Sequence, residues 1–436
     1  MKKIISFKKK GSPIGKNYFL SLAVLFAFGV SYAQEENSNN VYSRYFMPEL
    51  FIGILNEAGS GFPDRGLQKS VFVSLGSYNP INDQEWKYRL NNPQTGITTG
   101  FSEYGNTELI GWSISLYPYL EFHPFNNDKI TFYSSLGLSY HSEKFDLKEN
   151  LTNKGVSTDL AWAYRLSTHY QIYQNEKSLF KAGVAYLHHS NGHTKLPNVG
   201  YNSFLVTLSY ESRFSKVDPS LLDSYKDVSF GRSTYNHFEA RAGFGMNVLS
   251  HLINDTKPVF AFSAGYGKTY NNTFRIGGGF YYRFYQHYYD YIKENGQYIE
   301  DLYPEFKENP YGYSTNIGLY GSGEILMNHV GIEFQLGVNI YKPFYQVEWM
   351  NNGVWWVQYD EQGEPEIRAV KQDLNWYYEF KRTVTSRLGM KYYLIGNDKK
   401  PVHNIYLGGY INTNLGQADF PEITLGYVYS FNFKNE

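Results

Sequence analysis

Apolar residues recur at every second position along much of the chain. The alternation is found at residues 110–122, 238–248, 330–340 and 423–433. In residues 110–122 the apolar positions are Ile110, Trp112, Ile114, Leu116, Pro118, Leu120 and Phe122. A period of two predicts a β-strand with one apolar face, and each run has about the ten residues that a tilted strand needs to cross a bilayer.

The links between these strands alternate in length. Short turns are expected at 126–128, 174–177, 270–272, 327–328 and 397–400, and longer links at 142–157, 191–201, 286–311 and 346–373. Outer-membrane barrels join their strands in this way. We therefore predict an all-β fold, one closed outer-membrane antiparallel β-barrel of about 14–16 strands, from about residue 43 to about residue 433. Two links, at 79–95 and 215–233, break the alternation and leave the strand number as a range.

The strands of a soluble β-sandwich would also alternate between apolar and polar residues, but they are usually only about 5–6 residues long. Tyr and Trp gather here near strand ends, as in an interfacial aromatic girdle. The chain has 43 Tyr, 31 Phe and 7 Trp among 436 residues, which speaks against disorder. Mean hydropathy is −0.47, which disfavours a helical membrane protein but suits a barrel with a polar interior.

Composition also limits the chemistry. The chain has no Cys, which excludes disulfides, thiolate nucleophiles and iron–sulfur clusters. Forty Lys and Arg balance 41 Asp and Glu, for a net charge of −1. Because there is no basic stripe, we expect no nucleic-acid partner.

The N-terminus has the pattern of an export signal. A lysine-rich segment precedes the apolar run Tyr18–Val30, and the small residues Ser31 and Ala33 follow. This run is shorter than the roughly 20 residues of a membrane-spanning helix, so a cleaved signal is favoured over an anchor. We predict a signal peptide of residues 1–33 and a barrel of residues 34–436 that carries the candidate site at 188–202.

Residues 181–214 carry the candidate chemistry. The parity of the first strand places Lys181 and His189 in the lumen, and His188 and Ser190 on the lipid side at its loop end. Parity of the returning strand places Asn202 on the lipid side and Glu211 in the lumen. His188, Ser190 and Asn202 are therefore expected to share one outward patch across a hairpin.

These residue types suit nucleophilic catalysis. A Ser hydroxyl needs a base to take its proton, His is such a base near neutral pH, and a third polar group orients the imidazole. Asn191 and the backbone of Gly192 are candidate donors to an oxyanion. Alternatives are an interfacial loop without chemistry, and a metal site formed by the three histidines His188, His189 and His193. Parity separates His188 from His189, so we expect neither a metal nor a cofactor.

The segment HHSNGHTKLPNVGYN resembles the His-x-Ser-Asn motif of the lipid A 3-O-deacylases (PagL type, also called acyloxyacyl hydrolases). The resemblance rests on His188, Ser190, Asn191, Pro197, Asn198, Gly200 and Asn202. It extends to the strand ELIGWSISLYPYLEF and to the later segments FSAGYGKTY, GGGFYYRF and ADFPEITLGYVY, as in the longer relatives of the family.

The resemblance implies an outer-membrane serine esterase that hydrolyses an ester-linked acyl chain of lipid A, the lipid part of lipopolysaccharide. His188 would be the general base, Ser190 the nucleophile, and Asn191 a contributor to the oxyanion site. The best-described members carry Glu where this chain has Asn202, and an amide orients the imidazole without adding charge. The compact members are eight-stranded, whereas this longer chain is expected to have nearly twice that number of strands. The second hypothesis is a non-catalytic outer-membrane channel or structural barrel that retains the motif.

Overall fold

The structure is a computed structural model. It describes residues 41–435 except 79–80, 82, 125–126, 128 and 226–227. The predicted signal peptide, residues 1–33, lies outside the described residues.

Two closed antiparallel barrels of eight strands each make up the fold. The first contains β1 Tyr42–Leu55, β2 Gln68–Ser77, β3 Gln94–Glu103, β4 Trp112–Phe122, β5 Ile130–His141, β6 Leu160–Gln174, β7 Ser178–Ser190 and β8 Tyr201–Lys216. The second contains β9 Ser233–Asn247, β10 Lys257–Tyr270, β11 Phe274–Tyr285, β12 Thr315–Met327, β13 Val330–Tyr341, β16 Val384–Tyr393, β17 His403–Asn414 and β18 Gln417–Asn435. Outside the barrels, β14 Trp355–Tyr359 and β15 Pro365–Ala369 form a separate hairpin.

Short helices occur only in the connecting segments of the described chain. They are α1 Glu85–Arg89, α2 Pro219–Tyr225, α3 Gln286–Lys293, α4 Gln297–Leu302, α5 Pro310–Tyr313, α6 Tyr345–Asn351 and α7 Trp376–Thr383, with 3-10 turns at Pro304–Glu308 and Asn397–Lys399. Among the described residues, none of these helices has the length and apolar composition needed to cross a bilayer.

The prediction of an all-β antiparallel barrel protein is confirmed, and the sixteen barrel strands fall within the predicted range. The prediction of one closed barrel is wrong. Strand β8 pairs with β1, from Tyr42 opposite Lys216 to Leu55 opposite Ser203. Strand β18 pairs in turn with β9, which closes the second barrel. The irregular link at 215–233 is the connection from one barrel to the next, which is why it broke the alternation of turn lengths.

The predicted facing of the strands is also confirmed. On β4, Leu116 is 57% exposed on the outer surface, whereas the neighbouring Tyr117 is fully buried in the lumen. The alternation at 238–248, 330–340 and 423–433 falls on β9, β13 and β18, where the apolar set points outward along most of each strand. Each barrel therefore has an apolar exterior, as a bilayer requires.

Ion pairs fill both lumens. In the first barrel Arg165 and Glu49 are fully buried and make two hydrogen bonds of 2.8 and 2.9 Å. In the second barrel the Lys391 ammonium lies 2.9, 3.1 and 3.3 Å from carboxylate oxygens of Glu239, Glu324 and Glu333. These three acids converge as metal ligands do, but the ammonium supplies the positive charge between them. Eight strands enclose an interior just wide enough for side chains, so this filling disfavours the channel hypothesis.

The Arg165–Glu49 pair generates the first testable prediction. Arg165→Met leaves the Glu49 carboxylate buried without its partner, so we expect a loss of about 3–5 kcal/mol in the free energy of unfolding. The double variant Arg165→Met/Glu49→Gln should recover much of that loss, because no charge is then stranded. Urea unfolding of the protein in detergent micelles measures both values.

The exposed pair Arg368–Glu366, on the β14–β15 hairpin, is the matched control. Its variant Arg368→Met should change stability by less than about 1 kcal/mol. Equal losses from Arg165→Met and Arg368→Met would contradict the assignment of the buried pair as a stabilising element of the first barrel.

Candidate active site

The β7–β8 hairpin brings His188 and Asn202 together. The two residues lie directly opposite each other in the ladder. His188 Nδ1 is 2.8 Å from Asn202 Oδ1, and the Tyr186 hydroxyl donates to the same oxygen at 2.6 Å. Because Oδ1 is an acceptor, this contact places the imidazole proton on Nδ1 and leaves Nε2 with a free lone pair. An imidazole in this tautomer is ready to accept a proton.

Ser190 is the last residue of β7 and is 9% exposed. Its Oγ accepts hydrogen bonds from the backbone N–H of Gly192, at 3.2 Å, and from Asn198 Nδ2, at 2.8 Å. Among the residues that the structure describes, no hydrogen bond joins this hydroxyl to His188. Such contacts are often long without substrate and tighten when it binds. Two N–H donors therefore converge on the serine oxygen.

The loop between β7 and β8 shapes this pair of donors. Gly192 has φ +71°, a conformation that L side chains rarely adopt. The Asn191 backbone N–H donates to Asn198 Oδ1 at 3.0 Å, and its side-chain amide donates to the Lys195 carbonyl at 2.7 Å. The backbone N–H and the side-chain amide of Asn191 are thus both engaged within the loop, and the backbone N–H holds the Asn198 side chain in place.

Glycine is needed behind the imidazole as well. Gly200 has φ +84°, and a Cβ there would lie 2.9 Å from Cε1 of His188. The backbone of the loop therefore packs directly on the ring, which restricts its orientation.

The residues of opposite parity point into the first lumen, as expected. Lys181 bonds to Glu121 at 2.9 Å, and Glu211 bonds to Arg213 at 2.9 Å. His189 is fully buried, with its ring centroid 5.2 Å from that of His141.

His193 lies in the loop, where burial lowers the pKa of its imidazole. Among the described side chains, His188, His189 and His193 do not bring their ring nitrogens together at one point.

The second barrel holds this loop. Asn254, in the β9–β10 link, accepts from the Leu196 backbone N–H at 2.8 Å and donates to the Leu196 carbonyl at 2.6 Å. The Val248 N–H donates to the His193 carbonyl at 3.2 Å. A Cβ on Gly192 would lie 3.2 Å from Cδ of Pro421, on β18. The position of the loop therefore depends on both barrels.

His188 and Ser190 open into a cleft of about 860 Å³ between the two barrels. Side chains of β6 and β7 line one side and side chains of β16 and β17 the other, and the outer links cover it. Residues that line the cleft include Lys154, Trp162, His251, Trp355, Lys381, Leu388 and Ile411. Its volume is in the range of a small-molecule site.

The hairpin residues are predictable from the sequence pattern, but two features of this site are not. Asn198 stood within the segment that carried the family resemblance, and yet it received no role. The second wall was missed because no local pattern shows which later strands pack beside β6 and β7.

The fold and its apolar exterior define an outer-membrane β-barrel protein. Residues 74–211 match the family model for lipid A 3-O-deacylase (PagL), and residues 228–356 match the model for the acyloxyacyl hydrolase C-terminal domain. Together the matches cover more than half of the chain, and the gap between them overlaps the link between the barrels. The chain therefore belongs to the PagL-type lipid A deacylase family, a family of hydrolases.

The likeness of the chain to solved structures is weaker than its match to the family models. The crystal structure of the outer membrane enzyme PagL matches with 16% identity and a TM-score of 0.27, over 38% of this chain and 99% of that chain. The outer membrane protein opdK from Pseudomonas aeruginosa matches with 9% identity and a TM-score of 0.19, over 90% of this chain and 99% of that chain. No curated protein sequence matches the chain.

The contact between Asn254 and the loop generates the second prediction. Asn254→Ala removes both hydrogen bonds to Leu196, each worth about 0.5–1.5 kcal/mol. We expect the Leu196 amide to exchange with deuterium about 5–30 times faster, because the loop then opens more often. Hydrogen–deuterium exchange of the protein in detergent measures this.

Asn309→Ala is the matched control, because Asn309 caps α5 in a different link of the same barrel. It should leave exchange at Leu196 unchanged. Unchanged exchange at Leu196 in Asn254→Ala as well would show that the second barrel does not hold the loop.

Proposed function

We propose that this protein is an outer-membrane serine esterase that removes an ester-linked acyl chain from lipid A, after export by a cleaved signal peptide of residues 1–33. The observation that carries the proposal is the shared placement of Ser190 and His188 in one cleft that opens between two apolar barrel surfaces. An acyl chain in the bilayer reaches such a cleft without leaving the apolar phase. Family membership supports the same reaction.

The geometry supports a two-step acyl transfer. Ser190 Oγ attacks the ester carbonyl carbon and gives its proton to Nε2 of His188, the general base. The bond from this carbon to the sugar oxygen then breaks, and the imidazolium returns the proton to that oxygen. Water, activated by His188, cleaves the acyl-serine, so a fatty acid and free Ser190 result. Asn202 orients the imidazole through Nδ1.

The oxyanion donors in this proposal are the Gly192 backbone N–H and Asn198 Nδ2. Both already point at Ser190 Oγ, within 3.2 and 2.8 Å. The carbonyl oxygen of a bound ester comes close to this oxygen as the new bond forms, so it meets the same donors. The sequence-based prediction gave the second donor role to Asn191. We assign Asn191 instead the shaping of the loop, because its donors are engaged there.

The alternative of a channel or structural barrel has less support. Buried ion pairs occupy both lumens, and the donors around Ser190 have no evident use in a purely structural loop. A loop with a purely structural role would not require Asn198 Nδ2 to face a serine oxygen.

The third prediction concerns Ser190 and His188. Ser190→Ala, His188→Ala and the double variant should each lower fatty-acid release by a similar factor, about 10⁴-fold or more, because the two residues act as a unit. Asn202→Ala should cost less, since it only orients the base. Asn202→Glu should keep or raise the rate, because a carboxylate stabilises the imidazolium. The assay is mass spectrometry of fatty acid released from purified lipid A in detergent.

Ser203→Ala is the matched serine control for this assay. Ser203 lies on the same hairpin, but it is buried in the lumen and its hydroxyl has no described hydrogen-bond partner. Its loss should leave the rate unchanged. Equal deacylation by wild type and Ser190→Ala would rule out the serine mechanism, and no deacylation by wild type would favour the structural barrel.

The fourth prediction concerns Asn198. Asn198→Asp keeps the acceptor for the Asn191 N–H but replaces the donor to the oxyanion with an acceptor. We expect kcat to fall by about 10²–10³-fold with little change in KM, because the lost interaction forms only in the transition state. Steady-state kinetics on lipid A in detergent measure both constants. A change confined to KM would show that Asn198 binds substrate rather than the oxyanion.

A further inference from the structure

The cleft at Ser190 has one wall from each barrel, although the candidate nucleophile and base belong to the first. On the first barrel Trp162 lies directly opposite Ser190 in the ladder. On the second barrel Leu388 and Ile411 are direct neighbours across β16 and β17, and both line the cleft. The cleft is the space left between the two convex outer surfaces.

Close contact between the barrels fixes the width of this gap. A Cβ on Gly409, in β17, would lie 3.7 Å from the ring of Trp162. The same measure at Gly192 gives 3.5 Å to Cδ1 of Ile411. Apolar side chains of the two barrels thus face each other beside the loop of residues 191–200. A hydrocarbon chain between them loses contact with water on both sides.

Two ammonium groups line the outer part of the same cleft. Lys154, in the β5–β6 link, bonds to the Ser60 carbonyl at 3.0 Å and lies 5.2 Å from the Trp355 ring. Lys381, in α7, is only 7% exposed and bonds to the side-chain oxygen of Gln417. Neither forms an ion pair with a carboxylate of the described residues. Lys381 is therefore a buried charge without a counter-ion among the described residues, and because buried charges are normally paired, an anionic ligand would complete this arrangement.

Other titratable groups near the lysines leave their positive charge largely uncompensated. Glu348, in α6, interacts electrostatically with Lys381, but burial raises the pKa of this carboxyl to about 7. His251 stacks on Trp355 with centroids 4.6 Å apart, and burial lowers the pKa of its imidazole to about 4. Burial therefore disfavours the charged forms of both His251 and Glu348, and the two ammonium groups are the main charges among the side chains that line the cleft.

We propose that the second barrel is the other half of the substrate site: it holds the acyl chain against Leu388 and Ile411, while Lys381, with Lys154, binds a phosphate group of the lipid. This inference rests on the proposed esterase function, whose substrate carries both an acyl chain and phosphate. Each ammonium group attracts phosphate as a point charge. The space beside Leu388 and Ile411 determines which acyl chains fit.

The lysine part is tested with two substrates, lipid A and the same lipid A after enzymatic dephosphorylation. Wild type should prefer the phosphorylated form in kcat/KM. Lys154→Gln/Lys381→Gln should reduce that preference by about tenfold or more, since each charged contact is lost. Lys307→Gln is the matched control, because Lys307 forms an exposed ion pair with Glu300 in another link. An undiminished preference in the double lysine variant would overturn the phosphate site.

A binding measurement separates failure of this inference from failure of the esterase proposal. Ser190→Ala protein is titrated with phosphorylated lipid A, with and without the two lysine substitutions. Weaker binding by about tenfold in the triple variant supports the phosphate site even if no hydrolysis is found. Hydrolysis by wild type with equal binding by both proteins would leave the esterase standing and refute the site.

The acyl wall is tested with Ile411→Trp, which fills the gap beside Gly192. We expect KM for lipid A to rise about tenfold or more, and the longest acyl chains to be affected most. Leu319→Trp, on the outward face of β12, is the control and should behave as wild type. Retained folding is checked by the heat-dependent shift of the barrel on an electrophoresis gel. A folded Ile411→Trp protein with unchanged KM for every chain length would show that the second barrel is no part of the site.

Discussion

Closure of each sheet is the constraint on which the rest of this structure depends. In a bilayer no water is available to satisfy backbone N–H and C=O groups, so a sheet must pair its first strand with its last. The chain meets this requirement twice, where β8 pairs with β1 and where β18 pairs with β9. Every strand of both barrels is therefore paired on its two sides, and the outer surfaces are free to be apolar.

Closure at eight strands has consequences for the interior. A cylinder this narrow has room for side chains but little else, so the polar face of each strand is buried against other polar faces. The charges that result are paired in place. Arg165 pairs with Glu49 in the first barrel, and in the second barrel Lys391 and three arginines pair with Glu239, Glu324 and Glu333. Because the lumens are occupied, the candidate chemistry is found on the outside of the barrels, between them.

The presence of a second barrel changes what that outside surface is. One barrel alone would offer Ser190 an open, convex face next to lipid. The second barrel adds a facing wall, and it holds the 191–200 loop through Asn254 and the packing of Gly192 on Pro421. The donors at Ser190 and the shape of the cleft therefore depend on contacts between residues far apart in the chain.

The sequence by itself determined the strands, their facing and the hairpin that carries His188, Ser190 and Asn202, because these follow from a local period of two and from pairing across a short loop. It did not determine how many barrels the strands make, since alternation is the same whether β8 meets β1 or continues to β9. The role of Asn198 also depended on the fold of the loop, which turns its amide toward Ser190. Lys154, Lys381, Leu388 and Ile411 could be assigned to one cleft only by the tertiary structure, because long-range packing of two closed surfaces leaves no periodic signal in the chain.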